Sequence, residues 1–66
     1  MENTFLDRLK VEKNELLEKV TKLAMFLNSD KVDSLSDANE LLLKQQFEAM
    51  NTYLNILIIR VELLEK

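Results

Sequence analysis

From Leu6 onward apolar residues recur in alternating steps of three and four, through Leu9, Leu16, Val20, Leu23 and Leu27, with Lys13 as the polar member of the row. That period lays one stripe along a helix and predicts helix 1 over about 3–27. Leu17, Ala24 and Phe26 make the apolar face wider than a two-stranded seam. A second periodic stretch predicts helix 2 over about 37–64, with an inward stripe read as Leu42, Gln46, Ala49, Met50, Tyr53, Ile56, Leu57 and Arg60. Between them, NSDKVDSLSDAN is rich in Ser, Asp and Asn, whose side chains bond the local backbone and favour turns and helix starts. The turn is placed at about 28–36. Ser36 is the preferred N-cap of helix 2, with Asp37 in its first turn and Leu35 as a hydrophobic staple. The fold class is all-α: one domain, 1–66, a two-helix antiparallel hairpin.

The end of helix 2, Tyr53 to Leu64, reads YLNILIIRVELL and is apolar on almost every side. One partner helix covers only one stripe of such a surface, so Leu54, Ile56, Leu57, Ile58, Ile59, Val61 and Leu64 are expected to form an interface in a helical-bundle oligomer, a dimer or tetramer. Composition supports that expectation. A 66-residue chain usually needs a disulfide, a metal or association to be stable, and this one has no Cys and no His. No metal site and no cofactor are expected.

The charge, nine basic against twelve acidic residues, gives −3 and argues against a long nucleic acid as partner. The longest uninterrupted aliphatic run, Ile56 to Ile59, is too short to cross a bilayer, and the start of the chain lacks a signal-peptide pattern, so a cytoplasmic location without membrane insertion is expected. With neither His nor Cys and no paired carboxylates that stand out, an enzyme is not expected. The acid-first pairs Glu15/Lys19, Glu18/Lys22 and Glu40/Lys44, each four apart, read as a solvated outer face.

Gln46, Tyr53 and Arg60 stand one heptad apart on the inward stripe of helix 2. Folding about Val32 pairs Leu6 with Arg60, Lys13 with Tyr53 and Val20 with Gln46, bringing Lys13, Tyr53 and Arg60 towards the open end of the hairpin. Two readings are open. In the structural one, Lys13 snorkels, Tyr53 packs, Gln46 fixes register, and Arg60 pairs with Asp7, Glu12 or Glu62. In the functional one, Arg60 offers a planar fork to a phosphate, Tyr53 a ring to a base, Gln46 a donor and an acceptor, and Lys13 a point charge, with Asn51 and Asn55 lining the same space or facing solvent.

The strings VEKNELLEKVTKLAMFL and LLLKQQFEAMNTYLNILIIRV carry a resemblance. Glu12, Lys13, Leu16, Lys22, Leu23 and Phe26, then Leu42, Leu43, Gln46, Ala49, Met50, Tyr53, Ile56, Leu57 and Arg60, follow the pattern of a family of very small bacteriophage helical-hairpin proteins. The chain resembles phage sponges that sequester nucleotide immune signals, of the anti-Thoeris and anti-CBASS type. What the resemblance implies is capture of a cyclic dinucleotide or a cyclic ADP-ribose derivative. Taken with the inward Arg, Lys, Tyr and Gln, the resemblance implies a phage anti-defence protein that holds a small phosphorylated nucleotide at an oligomer interface without turning it over. Its rivals are a module that captures a helix of a host protein on the apolar face of helix 2, and a purely structural coiled-coil element.

Overall fold

Two stripes of 3.5-residue period cannot both be buried unless the chain reverses, and it does so once. The computed structural model describes residues 4–66. Helix α1 runs Phe5–Leu27, a short 3-10 helix covers Asp30–Ser34, and α2 runs Asp37–Glu65, antiparallel to α1. The expected helix start at Asn3 lies outside the described residues.

Each helix end is fixed by local side chains. The Thr4 hydroxyl accepts from the Asp7 amide at 3.1 Å while the Asp7 carboxylate accepts from the Thr4 amide at 3.4 Å, a reciprocal cap that satisfies two amides with no partner within the helix. Ser36 caps α2 by accepting from the Asn39 amide at 3.2 Å. The C-terminus of α1 has no glycine to enter the left-handed region, and no described residue has positive φ. Instead Asn28 folds its side-chain amide onto the Ala24 carbonyl at 3.0 Å, and the Ser29 hydroxyl donates to the Phe26 carbonyl at 2.7 Å. The reversal then runs through the 3-10 turn, where Ser29 accepts from the Lys31 amide at 3.3 Å.

The row Leu6, Leu9, Lys13, Leu16, Val20, Leu23 and Leu27 on α1 does face α2, with Leu9 and Val20 buried and the others half-buried. On α2 the inward row is Leu43, Phe47, Met50, Leu54, Leu57 and Val61, one residue on from the stripe expected from sequence. A one-residue slip turns a helix by about 100°. Leu42, Gln46, Ala49, Tyr53, Ile56 and Arg60 are consequently exposed, while Met50 and Leu57 are retained in the inward row. The physical reason is polar burial. The observed α2 row is wholly apolar, whereas the expected one would have enclosed Gln46 and Arg60 without partners.

The buried core lies towards the open end, where Leu9, Leu57 and Val61 form a cluster with Leu6 and Leu16 against it. Three residues expected at an oligomer interface, Leu54, Leu57 and Val61, are thus buried within the hairpin, and that expectation is corrected for them. Ile58 is half-buried, and Ile56, Ile59 and Leu64 stay exposed. The result is a rod of 45 × 20 × 14 Å with a radius of gyration of 15.0 Å, against about 11 Å for a compact domain of this length. The hairpin exposes 5258 Å², where roughly 4400 Å² is expected for a monomer of its 7.8 kDa mass.

At the open end Lys10 Nζ meets Glu65 Oε2 at 2.8 Å, a salt bridge tying the first turns of α1 to the last turn of α2. The hydrogen bond and charge of Glu65 raise the Lys10 pKa, and those of Lys10 lower the Glu65 carboxyl, with the Lys13 charge adding to the latter.

Two outcomes are expected. Leu57→Ala, which empties a fully buried site, should cost about 2–5 kcal/mol, while Met25→Ala, at 68% exposure, should stay within about 0.5 kcal/mol in the same denaturation series. The second concerns pH. Because Glu65 is depressed, its contribution is full above the ordinary carboxylate range and disappears as pH falls through its lowered folded value. Because Lys10 is raised, its contribution disappears only as pH rises through its elevated value. Melting temperatures of wild type and Glu65→Gln should therefore differ at neutral pH, converge in acid and converge again with added salt, since both side chains are solvent-accessible. A difference that persists unchanged into strong acid would contradict the assignment.

Candidate functional site

The six residues singled out for ligand binding are distributed over three surfaces. Gln46, Tyr53 and Arg60 share one exposed face of α2, adjoining the buried seam. Lys13 is half-buried in the row of α1 that faces α2, where its charge acts on Glu65. Asn51 is half-buried and Asn55 exposed, and helical phase puts both on the opposite flank of α2 from Tyr53 and Arg60. Among the described residues no hydrogen bond or ion pair joins any of the six to another. The expected convergence of Lys13 with Tyr53 and Arg60 is therefore not found as a bonded cluster within the single chain.

Arg60 finds a partner that sequence reasoning missed. Its guanidinium carbon lies 5.9 Å from the centroid of the Phe5 ring, a cation–π contact between the first turn of α1 and the end of α2. Phe5, Arg60, Leu63 and Leu64 line a shallow depression at the open end of the hairpin. No carboxylate pairs with Arg60 among the described residues, so the expected link to Asp7, Glu12 or Glu62 is absent there. A guanidinium lying on an aromatic face still has hydrogen-bond donors around its rim. The signal for Phe5 was an aromatic beside a helix start, which sequence alone assigns equally well to a staple or to solvent.

Gln46 sits in a second depression with Leu35, Asn39, Leu42 and Leu43, near the start of α2, and its amide nitrogen is 3.8 Å from the Met50 sulfur. Tyr53 lies between the two depressions in sequence and is 43% exposed, as is its neighbour Ile56 at 49%. The face thus offers one permanent cation, two aromatic rings, one amide and several aliphatic side chains. In chemical terms such a set suits a planar anion, since rings and aliphatics pack on a flat face and a guanidinium pairs with anionic oxygens.

The outer face carries ordinary helix-supporting pairs. Glu18 meets Lys22 at 3.4 Å and Glu40 meets Lys44 at 2.9 Å, both four residues apart. No described helix is long and apolar enough to cross a membrane, and no group of three or more metal-binding side chains occurs among the described residues.

Comparison with curated proteins and with solved structures returns no match. A family model does match, that of Sequestin, over residues 3–63, which takes in α1, the turn and α2 as far as Leu63. With nearly its whole length so covered, the chain belongs to the Sequestin family.

Proposed function

We propose that this protein is a non-catalytic sequestering agent: it self-associates and holds a small phosphorylated nucleotide, a cyclic dinucleotide or a cyclic ADP-ribose type of immune signal, as a phage counter-defence. The family name points to sequestration, and the resemblance noted in the sequence points to a phage and to nucleotide signals. The observation that carries the reading is Arg60, a cation held over the Phe5 ring beside Leu63 and Leu64, without a carboxylate partner among the described residues. Tyr53 and Gln46, on the same face, complete the recognition set. Lys13, Asn51 and Asn55 belong to it only if assembly brings their surfaces to a neighbouring chain.

Holding without turnover fits the inventory of side chains. A chain with no His and no Cys has neither the usual proton shuttle nor a thiol nucleophile, while a tight complex needs only a complementary surface. Self-association supplies enclosure. The hairpin leaves Leu42, Ile56, Ile59 and Leu63 exposed, and a ligand on an open rod would remain largely solvated. The same apolar face favours a second reading, capture of a helix from a host protein, and the two are separated by what binds.

Two measurements test this. At micromolar concentration the protein should sediment as a dimer or larger, and Ile56→Asp should reduce it to a folded monomer, because Ile56 lies outside the hairpin core; a wild-type monomer would remove the assembly. In calorimetry against cyclic dinucleotides and cyclic ADP-ribose isomers, at least one compound should bind. Arg60→Leu should weaken that compound by roughly 10- to 150-fold, the loss of a charge-assisted hydrogen bond at about 1.5–3 kcal/mol, while leaving helicity and cooperative melting in place. If no compound binds, or if Arg60→Leu binds like wild type, the nucleotide reading gives way to host-helix capture.

A further inference from the structure

Both helices contribute to the depression at the open end of the hairpin. Arg60, Leu63 and Leu64 stand on the last turns of α2, and Phe5, the first residue of α1, lies across from them. Each side of this contact stands on backbone that the core holds. Leu6 and Leu9, which follow Phe5, pack with Leu57 and Val61, which bracket Arg60. The first turn of α1 is closed by the Thr4 and Asp7 cap and by the Arg8 amide, which donates to the Thr4 carbonyl at 3.0 Å. The Lys10–Glu65 bridge ties the same end at 2.8 Å. Phe5 and Arg60 are thus brought to 5.9 Å by contacts on either side of them.

A ring acts on a guanidinium differently from a carboxylate. A carboxylate takes up the N–H donors, which lie in the plane of the group, whereas a ring attracts the cation through its π face and leaves those donors open. Arg60 has the ring and, among the described residues, no carboxylate. Two acids of that end are engaged elsewhere, Glu65 by the Lys10 ammonium and Asp7 by the Thr4 amide. The arrangement restrains a long, rotamer-rich side chain without using up its fork. Restraint of that kind, present before a ligand arrives, lowers the ordering cost of binding.

We propose that Phe5 is a positioning residue for the Arg60 site: from α1 its ring holds the guanidinium ready for an anionic group of the ligand, and so couples binding to the docking of the first turn of α1 on α2. The inference rests on the nucleotide sequestration proposed above and adds a second helix on which affinity depends. A core role does not account for the ring. Phe5 is 54% exposed and stands outside the cluster of Leu9, Leu57 and Val61. Its aromatic character is therefore separable from the folding of the hairpin.

That separation makes the test direct. Phe5→Leu keeps an apolar side chain and loses the ring, while Phe5→Tyr keeps an aromatic face. Both should melt cooperatively close to wild type, because the position is more than half exposed. In calorimetry against cyclic dinucleotides and cyclic ADP-ribose isomers, the compound that wild type holds should bind Phe5→Leu roughly 2- to 12-fold more weakly, the cost of ordering one long side chain on binding. Phe5→Tyr should restore wild-type affinity to within about 2-fold. In an Arg60→Leu background Phe5→Leu should cause no further loss, since no guanidinium is left to position. Hydrogen exchange at the Arg8 amide should slow when wild type is saturated with the compound, because a ligand that needs the docked turn opposes its opening.

Phe5→Leu binding as tightly as wild type, with Arg60 still required, would overturn the proposal and leave the proposed function standing. An equal loss in both backgrounds would overturn it too, by showing that the ring touches the ligand itself instead of acting through Arg60. Unchanged exchange at Arg8 would overturn the coupling to docking. If wild type binds none of these compounds, the nucleotide reading fails and this inference falls with it.

Discussion

Everything in this structure depends on one seam between two helices. A 66-residue chain with no cysteine, histidine, glycine or proline has no staple, no metal clip and no permissive backbone hinge, so its unity rests on apolar side chains interlocking at a period of 3.5 residues. Leu9, Leu57 and Val61 are the centre of that contact, and only a handful of side chains in the hairpin are fully withdrawn from water. So slim a core explains why the ends matter. The reciprocal Thr4 and Asp7 cap, the Ser36 cap and the Lys10–Glu65 bridge each fix a terminus whose fraying would open the seam.

The same constraint produces the candidate functional surface. One helix pair can bury one stripe from each member, and α2 is apolar over more than one stripe. Whichever row faces α1, the other is left outside. The row that goes inside is free of polar groups, so the row that remains carries Gln46, Tyr53 and Arg60 among aliphatics. A permanent cation set in an apolar surface is costly to enclose without a partner and well suited to receive an anion. The core and the candidate site are therefore two consequences of a single choice of helix phase.

That choice also sets the shape of the surface left outside. The rod leaves Leu42, Ile56, Ile59 and Leu63 exposed along α2, a long surface rather than a deep pocket. The Arg60 guanidinium and the Phe5 ring are held together within the single hairpin.

The sequence by itself determined the helices, the polar turn, the Ser36 cap and the inward row of α1, because each of these follows from local chemistry: a 3.5-residue period interrupted by a run of Ser, Asp and Asn. It also singled out Arg60 as a cation out of keeping with its neighbours. It did not determine which row of α2 meets α1. Two rows one residue apart, Leu42 to Arg60 and Leu43 to Val61, share the same period and similar apolar content, and periodicity alone cannot rank them. Only the packed hairpin decided between them, since α1 favours the row that brings no unpaired amide or guanidinium into the seam. Contacts between segments far apart in the chain were equally out of reach, and Phe5 met Arg60 only once the two ends had been brought together by the fold.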